Sequence, residues 1–143
     1  MKFEDSKYSK LLAYKKEHFS FGTIYATEHF LLSELNEGIH VDHNIANELI
    51  SRFSDQISKG TKLGYIANRY NSYSFDPQLW VNFNNDYDAF IASAIVTYSN
   101  FSYLNASLEK QFFNKSLKRC INLDQAIEWI MNLREFKNDI NQN

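Results

Sequence analysis

The stretch "GYIANRYNSYSFDP", Gly64 to Pro77, decides how the whole chain is read. It opens as a short buried strand, "KLGYIA", and closes as a helix start. Asp76 is placed to cap that helix, and Pro77 suits its first position because proline lacks the N–H that would be unpaired there anyway. Between them lies a dense polar run: Asn68, Arg69, Tyr70, Asn71, Ser72, Tyr73 and Ser74. Strand, loop and helix in this order form the repeating unit of sheets built by crossover connections.

The downstream sequence repeats the unit. The helix from Pro77 runs towards Asp88. "AFIASAIVTY", Ala89 to Tyr98, is nearly all apolar, as expected of a strand covered on both faces. "NASLEKQFFNKS" then reads as a short helix with Leu108, Phe112 and Phe113 inward, "LKRCIN" as a strand, and "LDQAIEWIMNLREF" as a final helix. Leu123, Ala126, Ile127, Ile130 and Met131 form the apolar stripe of that last helix.

Upstream, "VDHNIANELISRFSDQIS" is the clearest helix, with Asp42 or His43–Asn44 as cap and Ile45, Leu49, Ile50, Phe53 and Ile57 at helical spacing. Lys59–Gly60 supplies its stop. Residues 15–36 read differently. Thr23, Tyr25 and Thr27 alternate with Ile24 and Ala26, and Gly22 and Glu28–His29 mark tight turns. These are antiparallel hairpins. The order is three strands, then α-β-α-β-α-β-α, which predicts an α/β domain with one mixed sheet of about five or six strands and right-handed crossovers. Residues 15–136 form the expected domain, residues 1–14 a tail or short helix, and residues 137–143 a tail.

Composition narrows the function classes. The 143 residues are 44% hydrophobic and 16% aromatic, which suits one globular domain. The formal net charge is −2 with charges scattered, so no nucleic-acid partner is expected. No apolar run approaches the roughly 20 residues of a membrane span, and the amino terminus lacks a signal-peptide core. The single cysteine, Cys120, has no partner within the chain for a disulfide. A cytoplasmic location is expected.

On "FGTIYATEHFLLSELNEGIHVD", "GYIANRYNSYSFDP", "ASAIVTYS", "NASLEKQFF" and the closing "LDQAIEWI", the chain resembles STAS-like, SpoIIAA-like proteins of the anti-sigma-factor-antagonist type. The resemblance spans roughly residues 15–133 and extends in element order to the CRAL-TRIO lipid-binding architecture. It implies a sheet flanked by helices and a role in binding rather than chemistry. STAS regulators are switched by phosphorylation of a Ser or Thr at the helix start after a central strand. Ser72 and Ser74 lie in that neighbourhood, but the usual Asp-Ser-Ser/Thr-Gly pattern is absent.

Two readings of the polar loop stand side by side. Open α/β sheets place ligands at the carboxyl ends of strands, where Arg69 would supply charge and Tyr70 and Tyr73 aromatic anchors. Alternatively Asn68, Asn71, Ser72 and Ser74 satisfy turn backbone, with Asp76 as cap. Elsewhere the candidates are weaker. His40, Asp42 and His43 are metal-ligand types without a second cluster, so no metal is expected. Glu34 and Glu37 read as exposed charge, Cys120 as a buried small hydrophobe on an inner strand, and Trp80 and Trp129 as packing residues. Four glycines leave no phosphate loop, and no cofactor is expected.

The expected function is a non-catalytic interaction module that binds a protein partner, a second copy of the chain included, through Asn68 to Asp76. The alternative is a carrier of a small apolar ligand, its cavity lined by Phe83, Phe90, Phe101, Phe112 and Phe113.

Overall fold

The computed structural model describes residues 1–58, 62–86, 90–111 and 115–141. In chain order, a 3-10 turn (Phe3–Asp5) and α1 (Tyr8–Leu11) precede β1 (Lys15–Phe19), β2 (Gly22–Ala26), β3 (Phe30–Leu35) and β4 (His40–Val41). Then come α2 (His43–Arg52), α3 (Ser54–Ser58), β5 (Leu63–Asn68), β6 (Ser74–Phe75), α4 (Gln78–Asp86) and β7 (Phe90–Val96). The chain closes with α5 (Asn100–Lys110), β8 (Ser116–Cys120), α6 (Leu123–Met131) and α7 (Arg134–Asn141).

Six strands form one sheet in the order β1-β2-β3-β5-β7-β8. The β1–β2 and β2–β3 pairs are antiparallel, and β3–β5, β5–β7 and β7–β8 are parallel. The expected mixed sheet of hairpins followed by crossovers is therefore what the chain forms. β5 and β7 sit inside the sheet, which accounts for their continuous apolar runs: all six residues of β5 are buried. A second, two-stranded parallel sheet pairs β4 with β6, a contact too short to leave a periodic signal in sequence.

Each face of the large sheet carries its own core. On one side Leu31, Tyr65, Ala67, Ile95 and Leu117 meet Leu49, Ile50, Leu79, Trp80 and Ala106 from α2, α4 and α5. On the other, Leu32, Ile66, Ala94, Val96 and Cys120 meet Leu123, Ala126, Ile127 and Ile130 of α6. The stripe read from sequence is thus the buried face of α6. Phe3 joins this second core at 0% exposure and draws the amino-terminal segment across the sheet.

Several helix limits differ from the expectation, each for a local reason. Asp42 is the cap of α2, its Oδ1 accepting from the Ile45 N–H at 3.1 Å. The helix does not run unbroken to Ser58: Phe53 leaves helical geometry (φ −108°, ψ 19°) as its ring turns into the core. α5 begins earlier than expected because Ser99 caps it, accepting from the Ser102 N–H. The new phase points Ala106 and Glu109 inward and leaves Leu108 58% exposed, which corrects the inward Leu108. Phe112 and Phe113, the Lys59–Gly60 stop and Asp88 lie outside the described residues. The final helix breaks after Met131, where Asn132 Nδ2 donates back to the Glu128 carbonyl at 2.7 Å, and α7 then buries Phe136. Cys120 is fully buried, although its strand is an edge and not an inner strand.

At Gly64 the sheet approaches α6 closely. A Cβ there would lie 2.8 Å from both Cδ1 and Cγ2 of Ile130. Gly64→Ala is expected to cost about 1–3 kcal/mol in urea denaturation, the usual range for overpacking. With Ile130→Val in the same chain, the combined loss should fall below the sum of the two single losses.

Candidate functional site

β5 ends at Asn68, and from there the polar run turns inward before it turns out. Asn68 is fully buried. Its Nδ2 donates to the Met1 carbonyl at 2.9 Å and to Glu34 Oε2 at 2.7 Å, and its Oδ1 accepts from the Tyr98 hydroxyl at 2.7 Å. Glu34 Oε2 also accepts from the Phe3 N–H at 2.7 Å. One carboxylate and one amide thus bind the amino terminus to the ends of β3, β5 and β7. Burial raises the Glu34 carboxyl above its ordinary value, against the lowering effect of these two donors.

Arg69 follows, and it too is buried, at 6% exposure. Its guanidinium makes a two-pronged pair with Glu109 of α5: Nη1 to Oε2 and Nη2 to Oε1, each 2.5 Å. Trp80 Nε1 of α4 donates to the same carboxylate at 3.0 Å. The rings of Tyr73 and Phe75 lie 5.4 and 5.7 Å from the guanidinium carbon. The expectation that Arg69 offers its charge to a partner is corrected on this geometry: both prongs are spent inside the domain. Asn68 and the half-buried Tyr73 likewise act within the fold.

Beyond Arg69 the loop is pinned by its own polar groups. Asn71 Nδ2 donates to the Leu35 carbonyl at 3.0 Å, the Ser72 N–H to Glu37 Oε2 at 2.8 Å, and the Gly38 N–H to the Ser72 carbonyl at 2.7 Å. Ser74 pairs through its hydroxyl with His40 Nδ1 at 2.7 Å, and its backbone joins the small β4–β6 sheet. Asp76 Oδ1 accepts from the Gln78 N–H at 3.0 Å, the capping role read from the sequence.

What this frame presents outward is aromatic. Tyr70 is 49% exposed and Tyr98 43%, their rings edge to face with centroids 6.2 Å apart. The Lys2 ammonium stands 5.5 Å from the Tyr70 ring centre. Burial, with the Glu34 charge second, pushes the Tyr98 hydroxyl up to about 12, so it stays a donor at neutral pH. On one side of the pair lies a recess of about 200 Å³ lined by Lys2, Lys16, Tyr25, Glu34 and Asn71. On the other, a groove of about 440 Å³ leads past Ser99 to Tyr103 and Ile121.

The remaining candidates stay apart. His40 faces Ser74 and His43 faces Asn82, and among the described residues no three His, Cys, Asp or Glu side chains converge as a metal would require. Burial pushes the Cys120 thiol up to about 11, which opposes thiolate formation. Glu109 and the amino-terminal Met1 and Phe3 also belong to this region, and no local pattern in the sequence marks them. From sequence alone Glu34 reads as exposed charge, whereas it is mostly withdrawn from water. Its place inside "FLLSEL" was the available signal, because a carboxylate within a covered strand needs donors.

Neither protein-family models nor curated proteins match this chain. Among solved structures, it is similar to an uncharacterised protein of the DUF3478 family from Shewanella loihica PV-4, described as having a SpoIIAA-like fold. The two share 8% identity over 83% of this chain and 93% of that one, with a TM-score of 0.52. The fold is SpoIIAA-like. At that identity the likeness extends to architecture alone, and it agrees with the resemblance carried by the sequence segments.

Two outcomes follow from the buried charges. Glu109→Gln removes one partner of a buried pair and is expected to lower the unfolding free energy by about 3–5 kcal/mol in urea titration. Glu34 has the opposite sign to a salt-bridged carboxylate. Its folded-state value is raised, so at neutral pH its charge subtracts stability, and that penalty fades as pH falls through the raised value towards the ordinary 4.5. Glu34→Gln should therefore stabilise most near pH 7. Its advantage over the wild type in thermal melts should shrink as pH is lowered to 4.5.

Proposed function

We infer that the chain is a non-catalytic protein-interaction module of SpoIIAA-like fold, with its docking surface at the carboxyl ends of β5 and β7. The observation that carries this reading is the Tyr70–Tyr98 pair. Two large aromatic rings stand exposed side by side on a base whose polar groups are already satisfied by Asn68, Glu34 and Met1. Such a platform is rigid, and exposed Tyr on a rigid base is the residue type that concentrates binding energy at interfaces. The polar residues beneath it hold the rings in place, and Asn71 and the recess beside Tyr70 add the polar rim that interfaces have.

A carrier of a small apolar ligand fits less well. The enclosed apolar space between the sheet and α2, bounded by Val41, Leu49, Tyr65 and Phe90, amounts to about 20 Å³. Ligand pockets run to about 300 Å³ and more. The side chains of Phe83 and Phe101, and Phe112 and Phe113 altogether, lie outside the described residues.

Tyr70→Ala separates the platform from the fold, since half of the Tyr70 side chain is already in water. In quantitative affinity capture against wild type, followed by titration of the purified partner, the variant is expected to bind at least about tenfold more weakly, the effect of losing an aromatic anchor. Its melting temperature should match the wild type. Equal binding by both proteins would remove the Tyr70–Tyr98 surface from consideration.

A further inference from the structure

The geometry points to a second docking site: an acidic peptide in extended conformation adds to the outer edge of β8 as a seventh strand. β8 ends the sheet, so among the described residues one side of its backbone has no strand beside it. The Cys120 carbonyl faces β7, where it accepts from the Thr97 N–H at 3.0 Å. Backbone groups of a strand alternate in direction, so those of Leu117, Arg119 and Ile121 face away from the sheet. The Ile121 N–H is taken by Gln125 Oε1 at 3.1 Å. Among the described residues, no strand pairs with the N–H and C=O of Leu117 and Arg119.

This edge runs along a groove of about 510 Å³ with an aromatic ring on each wall, Tyr103 from α5 and Trp129 from α6. Its charged lining is entirely cationic: Lys110, Lys115, Lys118 and Arg119. Two of the four are already placed, Lys115 by the Phe90 carbonyl and Arg119 by the Ser107 hydroxyl and the Tyr103 ring. None of the three carboxylates on the flanking helices lines the groove. Glu109 is committed to Arg69, Glu128 to Tyr8 and Lys7, and Asp124, in the first turn of α6, lies towards Tyr8. A peptide laid along β8 would alternate its side chains between the two walls. Acidic residues on either face would meet cations, Arg119 and Lys110 on one wall or Lys118 on the other.

Lysines on an edge strand also keep identical edges from pairing. A second copy docking through β8 would set Lys118 and Arg119 against the same cations, whereas an acidic strand is attracted by them. Main-chain pairing then gives affinity, and the two walls give specificity, as in other cases of strand addition. A single nucleic-acid strand would meet the same cations and rings. Its phosphates can accept from an N–H, but only a peptide offers alternating donors and acceptors in register with the N–H and C=O groups of Leu117 and Arg119, which is why the peptide is favoured. This site does not rest on the Tyr70–Tyr98 platform, and either can fail alone.

The test uses the full chain and a capped octapeptide alternating Glu and Val, followed by fluorescence anisotropy. The peptide is expected to bind and to weaken as salt rises. Lys118→Glu with Lys110→Glu should weaken it at least about tenfold, while Lys10→Glu, a charge reversal on α1 away from the groove, should not. Two N-methylated peptides probe the backbone, one blocked at the odd amides and one at the even amides. Strand addition requires that one of them loses binding and the other keeps it. Equal binding by both methylated peptides would overturn the proposal. So would preference for an oligothymidylate over the peptide, indifference to Lys118→Glu with Lys110→Glu, or a β8-mediated dimer in sedimentation.

Discussion

The buried pair of Arg69 and Glu109 is the constraint around which the carboxyl end of this sheet is arranged. Two charges withdrawn from water are tolerated only when each finds a close partner and further donors. Here Arg69 has both prongs on one carboxylate, and Trp80 supplies a third donor to it. The pair joins the loop after β5 to α5, and Trp80 adds α4, so three segments distant in sequence share one ionic centre. An apolar cluster of equal volume could hold these elements together as firmly, without the directional hydrogen bonds of the pair. The two-pronged geometry sets the direction in which the loop leaves the core.

That direction explains the division of labour in the loop. Asn68 and Arg69, the two residues next to the strand, serve the interior. The next residue, Tyr70, stands in solvent, and those after it are pinned by Leu35, Glu37 and Gly38. Ends of parallel strands in an open sheet are a common place for binding surfaces. In this chain the surface is aromatic and its charges lie below. The amino-terminal segment contributes as well, because Phe3 in the lower core and Met1 at Asn68 close one flank of the same end of the sheet.

Much of this architecture is legible in local patterns. The alternation from Thr23 to Thr27, the apolar run of β7, the Asp76–Pro77 helix start and the stripe of α6 each follow from neighbours within a turn or a strand. Features set by distant partners are not. "NASLEKQFF" carries nothing to show that Glu109 faces Arg69, forty positions earlier, and a lone glutamate on a helix reads as solvated charge. The phase of α5 was lost for a related reason: Ser99 caps the helix, but "VTYSNF" reads equally well as the end of a strand. The β4–β6 pairing involves two residues on each side and has no period to detect. In the candidate site the misreading of Arg69 had the same source, since a cation in a polar loop looks available until its counter-charge is found.

The forty-residue gap between Arg69 and Glu109 also bears on how the domain is made. At synthesis rates of about 5–20 residues per second, β5 and its arginine are translated roughly two to eight seconds before the helix that neutralises them. Through that interval the nascent chain holds a cation it has no means to bury, so the half-finished sheet stays open at this end. The Arg69 guanidinium meets its carboxylate only once α5 has been made, so this end of the sheet acquires its ionic centre in the carboxyl-terminal half of synthesis.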